Sequence, residues 1–256
     1  MNTLLIGSVY ACKERDHYWY DMQNYFISKN TKDIKYDFKI FCNYKENIDN
    51  LKFESQIIGY GKNDKFVSEN HVLGLNHIIK YAKENNYNHL LLMDSDCFPV
   101  QKKWFSILNE KMLEYKVAAP LRFENLDDFA HPSFFYVKNI KNTNLNFAFS
   151  NYKNLIGHTT KECLSNITNF YPLIRSNKIN HDPIISAIYS NMCYHHGAGS
   201  RNKTFRCYEL KYYDYYACEK NVEDVELKLF QRLIDDPKKF ISEMMFQKQT
   251  NFIGLM

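Results

Sequence analysis

The sequence predicts an α/β fold: a three-layer sandwich with a central, mostly parallel sheet and further helices appended at the C-terminal end. Segments typical of strands and of helices alternate from residue 3 to about residue 121, which is the pattern of βαβ units. Residues 90–93, LLLM, are wholly apolar, as expected for a central strand that is covered on both faces. Together these two observations place a parallel sheet in the first half of the chain.

The elements of this first half follow from their apolar periodicity. Strands are predicted at 3–10, 38–43, 56–60, 90–93 and 117–121, and helices at 16–28 and 70–84. Pro99 is expected to open a further helix that extends to Met112, because proline is favoured in the first turn.

The alternation breaks after residue 121, where we expect a subdomain boundary within one domain that spans 1–256. The second half is predicted to hold a strand at 134–137, a loop at 139–150, a short helix at 183–190 and a strand at 192–195. Two amphipathic helices are predicted at 222–234 and 237–245.

Composition excludes several classes of protein. Lys and Arg total 33 and Asp and Glu total 29, so the net charge of +4 is a mild field that does not require a nucleic-acid partner. An aromatic content of 16% is too high for a disordered chain. No apolar run approaches about 18 residues, so no transmembrane segment is expected. The 7 Cys are scattered without a CxxC pair, which favours reduced thiols and a cytoplasmic location.

The sharpest chemical feature is the pair Asp94 and Asp96, directly after the apolar strand. Ligands of open α/β sheets bind at the carboxyl ends of the strands. Two carboxylates this close repel each other unless a cation lies near them, and Mg²⁺ or Mn²⁺ prefers such oxygen ligands. The alternative is a solvated turn whose carboxylates cap the next helix.

A second feature is the segment 195–201, HHGAGSR. Adjacent histidines in a strand point to opposite faces, so at most one of His195 and His196 is expected to bind a metal. The glycines would let backbone approach a phosphate, and Arg201 would neutralise a diphosphate.

Candidates for a catalytic base lie elsewhere in the second half. Asp182 precedes Pro183, an arrangement that is ordinary at a helix start but that also suits a base at the mouth of a pocket. The acidic stretch 124–128 is a rival source of a carboxylate and reads more simply as a solvated loop. Residues 131–135, HPSFF, would stack on a sugar ring or simply enter a strand.

These segments, in this order, resemble the GT-A fold glycosyltransferases, particularly family-2-like enzymes. The resemblance rests on the N-terminal alternation, the helical segment 74–82, the Asp-x-Asp motif at 94–96 and the His-x-Gly-x-Gly-Ser-like segment at 195–201. It covers most of residues 1–205. By resemblance, 1–121 would bind the nucleotide sugar, 122–205 would hold the acceptor and the catalytic groups, and 206–256 would be a helical extension.

The resemblance implies metal-dependent transfer of a sugar from a nucleotide-diphosphate sugar to a hydroxyl of a glycan, glycolipid or protein-linked acceptor. Mn²⁺ or Mg²⁺ would be held by Asp94, Asp96 and His195. Asp182 would be the base of an inverting reaction, although the usual acidic pair is replaced here by His181 and Asp182. The residues implied to bind the donor are Ser8, Val9, Tyr10, Asn43, Asn76, Asp94 and Arg201.

Three other readings stay open at this point. A phosphatase of the haloacid dehalogenase type also has Asp-x-Asp after an apolar strand, but its motif lies near the N-terminus and is followed by Thr where this chain has Phe98. A sugar-phosphate nucleotidyltransferase needs a glycine-rich basic loop after the first strand, and 7–11 is too poor in glycine. A non-catalytic carbohydrate-binding or interaction protein would share the same pattern.

Overall fold

The computed structural model describes residues 3–11, 15–45, 52–62, 67–122, 129–147, 169–177, 186–197 and 222–246. They form a mixed α/β structure in which helices flank a mostly parallel sheet, which confirms the predicted fold class. The strands are β1 Thr3–Tyr10, β2 Lys35–Cys42, β3 Ile57–Tyr60, β4 His89–Asp94, β5 Cys97–Pro99, β6 Val117–Leu121, β7 Phe134–Lys138, β8 Tyr171–Ile174, β9 Ala187–Tyr189 and β10 Cys193–His195. The helices are α1 Asp16–Asn30, α2 Val67–Glu84, α3 Trp104–Lys111, α4 Val222–Asp235 and α5 Pro237–Phe246.

The main sheet has seven strands in the order β3-β2-β1-β4-β7-β6-β8. All neighbours pair in parallel except β7, which is antiparallel to both β4 and β6. A smaller antiparallel sheet has the order β5-β10-β9. This second sheet begins three residues after β4 ends, so it brings β10 to the carboxyl end of the central strand.

The apolar run of β4 is buried on both faces, as its sequence predicts. Leu90 and Leu92 pack into a core that includes α2 residues, whereas Leu91 and Met93 pack into the core that includes Trp104 of α3. All four of these β4 side chains are 0% exposed. Successive residues of a strand point to opposite faces, so a strand apolar at every position needs a layer on each side.

Two glycines leave room for helix α2 to pack against the sheet. A Cβ on Gly7 of β1 would lie 2.3 Å from Cγ2 of Ile78, and a Cβ on Gly74 of α2 would lie 2.6 Å from Cδ1 of Phe41. Neither distance is tolerated by real side chains, so glycine is required at both positions.

The C-terminal helices pack on α1 rather than on the main sheet. Phe230 of α4 and Phe240 of α5 share a buried cluster with Trp19 and Phe26 of α1 and with Phe98 of β5. The predicted amphipathic helices at 222–234 and 237–245 are therefore present, within a residue of their expected bounds. No helix in the described ranges combines the length and the apolar character that crossing a bilayer requires.

The prediction from Pro99 was wrong. Pro99 ends strand β5 instead of opening a helix, and α3 begins only at Trp104. The carbonyl of Pro99 accepts a hydrogen bond from Asn30 Nδ2 at 2.9 Å. Tertiary contacts of this kind outweigh the local preference of proline for a helix start. Strand β8 was not predicted from the sequence; it contains Pro172, which is tolerated because β8 is an edge strand.

The short helix predicted at 183–190 is also wrong for its described part, because Ala187–Tyr189 is strand β9. The turn that follows has positive φ at Ser190 and Asn191, and the main-chain N–H of Met192 donates to the carbonyl of Tyr189 at 2.8 Å. This turn folds β9 back onto β10 as a hairpin.

Candidate metal and nucleotide site

The candidate site lies where the strand order of the main sheet reverses direction. From β1 the chain proceeds to β2 and β3 on one side, and from β4 the remaining strands lie on the other side. Val9, near the end of β1, is paired with Asp94 at the end of β4. The carboxyl ends of strands at such a reversal leave a crevice, which is the usual ligand site of open α/β sheets.

Three side chains with metal-binding atoms meet at this crevice. Nε2 of His195 lies 3.5 Å from Oδ1 of Asp96 and 3.7 Å from Oδ2 of Asp94. One potential ligand atom from each of the three residues lies within 4.8 Å of those of the other two. Asp96 and His195 are buried, while the Asp94 side chain is 22% exposed. The structure thus brings together residues more than 90 positions apart in the sequence.

The donor set fits a divalent cation of the Mg²⁺ or Mn²⁺ class. The two carboxylates offer the oxygen ligands that Mg²⁺ and Mn²⁺ prefer, and the imidazole adds one nitrogen ligand. Metal–ligand bonds of about 2.1 Å place ligand atoms about 3 to 4 Å apart, the range observed between His195 and the two carboxylates. The spacing is therefore suited to a shared ion.

The two adjacent histidines point in opposite directions, as expected for neighbours in a strand. His195 faces the carboxylates, whereas Nε2 of His196 lies 3.1 Å from Oε1 of Glu226. Cα pairing aligns His195 with Cys97, next to Asp96, which sets the height of the imidazole beside the turn.

His71 of α2 makes a contact with Asp94 that the sequence did not predict. Its Nε2 lies 3.0 Å from Oδ1 of Asp94, which leaves Oδ2 of Asp94 directed toward His195. Burial raises the pKa of Asp94, but the hydrogen bond and charge of His71, together with His195 and Arg122, outweigh it, and the net pKa is lowered. Asp94 is therefore held as a carboxylate with one oxygen already engaged.

A third imidazole, that of His131, packs against the ring of His195 with centroids 5.7 Å apart. The main-chain N–H of Ser133 donates to His131 Nδ1 at 3.2 Å, so the proton of the neutral ring is on Nε2. Burial, then the charge of Arg122, lowers the pKa of His131 well below its usual value. Burial also lowers the pKa of His195, although Asp96 and Asp94 oppose it, so both rings are neutral at pH 7.

Gln23 of α1 holds the turn that carries Asp94 and Asp96 through hydrogen bonds. Gln23 is fully buried, and its Nε2 donates to the carbonyl of Asp94 at 2.9 Å and to the carbonyl of Cys97 at 2.7 Å. The same Nε2 lies 3.1 Å from Ser8 Oγ, and the hydroxyl of Tyr10 donates to Oε1 of Gln23 at 2.9 Å. One side chain thus ties both ends of the turn to the end of β1.

Several of the residues implied by the resemblance to bind the donor are buried or hydrogen-bonded to the protein's own backbone. Ser8, Val9 and Tyr10 are all buried, and Ser8 Oγ donates to the carbonyl of Met93 at 3.1 Å. The main-chain N–H of Asn43 donates to the carbonyl of Tyr10 at 2.8 Å, which places Asn43 beside the end of β1. Both side-chain polar atoms of Asn76 are engaged by the backbone of Phe147, at 2.6 and 2.7 Å.

Some sequence-derived candidates lie outside the described residues, namely Asp182, Arg201, the acidic stretch 124–128 and the glycine-rich part of 195–201 beyond Gly197. Three participants were missed in the sequence: His71, Gln23 and Glu226. The position of His71 near the start of a predicted helix could have indicated it, because the first turn of a helix between parallel strands lies at the carboxyl edge of the sheet. Nothing in the local sequence indicates the roles of Gln23 and Glu226, since their partners are distant in sequence.

Comparison with known proteins gives remote similarity in structure and none in sequence. No protein-family model and no curated protein matches the chain. A197 from STIV is 12% identical, covering 80% of this chain and 97% of that chain with a TM-score of 0.38. A protein of Desulfovibrio desulfuricans G20 described as a nucleotide-diphospho-sugar transferase is 12% identical, covering 68% and 80% with a TM-score of 0.41. S. aureus TarS 1-349 in complex with UDP-GlcNAc is 12% identical, covering 71% and 60% with a TM-score of 0.41. Similarity this low supports no functional conclusion. A functional conclusion therefore has to rest on the side chains at the site.

Proposed function

We propose that this protein is a metal-dependent glycosyltransferase that moves a sugar from a nucleotide-diphosphate sugar to a hydroxyl acceptor on a glycan, glycolipid or protein. The observation that carries the proposal is the convergence of Asp94, Asp96 and His195 at the reversal point of a mostly parallel sheet. A cation-binding set in the crevice where such sheets bind ligands suits a nucleotide diphosphate, which brings its own negative oxygens to the ion.

Asp94, Asp96 and His195 would hold Mn²⁺ or Mg²⁺, and the ion would neutralise charge that develops on the leaving diphosphate. His71 would keep Asp94 in one orientation through the 3.0 Å contact with its Oδ1. Gln23 would keep the turn between the two carboxylates at a fixed height through its bonds to the carbonyls of Asp94 and Cys97. The backbone at Val9 and the end of β1 would line the nucleotide side of the crevice.

In the transfer, the acceptor oxygen forms a bond to the anomeric carbon as the bond from that carbon to the phosphate oxygen breaks. The acceptor proton passes to a carboxylate, and the nucleoside diphosphate leaves with the electron pair. By the resemblance described above, Asp182 is the base and the anomeric configuration is inverted. Arg201 would add charge neutralisation at the diphosphate.

The proposal is tested by calorimetric titration of the protein with a panel of nucleotide sugars, each with and without Mn²⁺, followed by assay for donor turnover. We expect one donor class to bind in the presence of Mn²⁺ and to be hydrolysed slowly or transferred. Asp96→Asn should abolish Mn²⁺-dependent binding and leave the melting temperature unchanged or higher, because it removes carboxylate repulsion.

Asp21→Asn is the matched control, since Asp21 is an exposed aspartate of α1 whose partner is Lys52 at 3.0 Å. It should bind the donor as the wild type does. Binding that ignores Mn²⁺, or that survives Asp96→Asn, would overturn the proposal. Binding with metal but without turnover on any acceptor would favour a non-catalytic carbohydrate-binding protein.

A further inference from the structure

His196 is fully buried and is fixed by contacts at each of its polar atoms. Its Nε2 lies 3.1 Å from Oε1 of Glu226, and its Nδ1 lies 2.7 Å from the hydroxyl of Tyr194. The hydroxyl of Tyr194 in turn lies 3.1 Å from Oγ of Ser186. Since the Glu226 carboxylate can only accept, Nε2 of His196 donates the hydrogen bond to it. Both ring nitrogens of His196 therefore have a hydrogen-bond partner.

The backbone of His196 connects this network to the carboxylate turn. Its N–H donates to the carbonyl of Asp96 at 3.0 Å, and its carbonyl accepts from the N–H of Ser186 at 2.7 Å. His195, the last residue of β10, directly precedes His196. Thus the separation between Asp96 and His195, two of the three candidate ligands, is set through the main chain of His196.

Glu226 reaches this network from α4, in the C-terminal part of the chain that the family resemblance leaves unexplained. Its Oε1 accepts from Arg15 Nη1 at 2.5 Å as well as from His196. The Arg15 guanidinium stacks over Phe230, 4.5 Å from the ring centroid, and the rings of Trp19 and His196 are 5.2 Å apart. The Glu226 carboxylate is therefore buried at the junction of α1, α4 and β10, with two hydrogen-bond donors.

We infer that Glu226 is a positioning residue of the metal site: it holds His196, and through it the relative placement of Asp96 and His195. The inference rests on the proposed metal site and extends it by giving the C-terminal helix α4 a part in the active centre. Partners of metal ligands typically change affinity by about 10- to 100-fold when removed. Glu226 acts one step further out, so we expect an effect of about tenfold.

The test is a titration of the full chain with Mn²⁺ alone, in which electron paramagnetic resonance measures free Mn²⁺. Glu226→Ala should weaken Mn²⁺ binding about tenfold, because His196 loses its acceptor. Glu226→Gln should restore affinity to within about threefold, because a single oxygen of Glu226 serves both donors and an amide oxygen can replace it. Glu243→Ala is the matched control, since Glu243 belongs to an exposed ion pair with Arg232 between α4 and α5. It should bind Mn²⁺ like the wild type.

Wild-type affinity in Glu226→Ala, with loss of binding in Asp96→Asn, would overturn this inference and leave the metal site standing. Equal weakening in Glu226→Gln and Glu226→Ala would overturn it too, because the retained acceptor would then make no difference. Absence of Mn²⁺ binding in the wild type would overturn both the metal site and the inference. If Glu226→Ala does not fold, Arg15→Met with Glu226→Met removes both charges without leaving one buried alone. That double variant should also weaken Mn²⁺ about tenfold, and wild-type affinity in it would contradict the inference.

Discussion

Nε2 of His71 lies 3.0 Å from Oδ1 of Asp94, which joins the first turns of α2 to the carboxyl end of β4 across 23 positions of sequence. The contact depends on the close approach of α2 to β1, which the glycines at 7 and 74 permit. It leaves the second oxygen of Asp94 directed toward His195. A helix and two strands thereby determine the direction in which one carboxylate points.

Removing the imidazole of His71 tests this relationship. We expect His71→Ala to weaken Mn²⁺ binding about tenfold, because the Asp94 carboxylate would be free to rotate. The measurement is titration with Mn²⁺ followed by paramagnetic resonance. His77→Ala is the matched control: His77 lies on the same helix, and its Nε2 contacts the carbonyl of Ile58 at 2.9 Å. Equal loss of Mn²⁺ affinity in both variants would show that the effect comes from the helix as a whole.

Gln23 offers a prediction about stability. Gln23→Leu should lower the free energy of unfolding by about 3 kcal/mol, because the buried carbonyls of Asp94 and Cys97 would lose their donor. Urea denaturation measures this difference. Gln101→Leu, at a glutamine whose hydrogen bond is exposed, should change it by less than about 0.5 kcal/mol. Similar values for the two variants would mean that the turn does not depend on Gln23.

The contact between β1 and α2 gives a second stability prediction. Gly7→Ala should destabilise the protein by about 2 kcal/mol, because its Cβ would lie 2.3 Å from Cγ2 of Ile78, a branched side chain with little freedom to move. Gly7→Ala combined with Ile78→Ala makes room for the new methyl group. Thermal unfolding should therefore show a double variant less destabilised than the sum of the two single changes, and simple additivity would contradict the packing argument.

His89 predicts how stability changes with pH. Burial, together with the charge of Lys138, lowers the pKa of His89, whose ring also contacts the hydroxyl of Tyr136 at 2.9 Å. The folded state therefore binds this proton less readily than the unfolded chain, whose histidine has a pKa of about 6.5. As the pH falls below about 6.5, protonation favours unfolding, and stability is lost until the folded-state pKa is passed.

The check is urea denaturation of the wild type and His89→Gln at about pH 7 and about pH 5. The wild type should lose more stability between the two values than the variant, by up to about 1.4 kcal/mol per pH unit. Other buried histidines act in both proteins, so the comparison isolates His89. Parallel curves for the two proteins would contradict the prediction.

Most of the main sheet can be predicted from the sequence, because the apolar composition of its strands distinguishes them from the loops. Thr3–Tyr10 and Val117–Leu121 form strands with the expected bounds, since long apolar runs leave few alternatives. Pro99 was wrongly expected to open a helix, because a proline's role depends on whether its missing N–H faces a neighbouring strand. That is decided by tertiary structure.

The candidate site was predictable only where its residues stand in a pattern. Asp94 and Asp96 follow a buried strand, and His195 stands before a glycine-rich stretch, so local sequence pointed to them. Gln23 and Glu226 act through partners 74 and 30 positions away, Cys97 and His196, and nothing near them in sequence reveals those partners. Contacts of this kind become visible once the topology is known.

The antiparallel strand β7 has a consequence for synthesis of the chain on the ribosome. It lies between β4 and β6, although it follows both in sequence. A nascent chain that ends near residue 121 therefore has two strands with open edges and no partner to separate them from other molecules. Exposed edges of this kind invite pairing between chains. The edges of β4 and β6 that β7 will cover therefore stay unpaired until Phe134–Lys138 has also emerged.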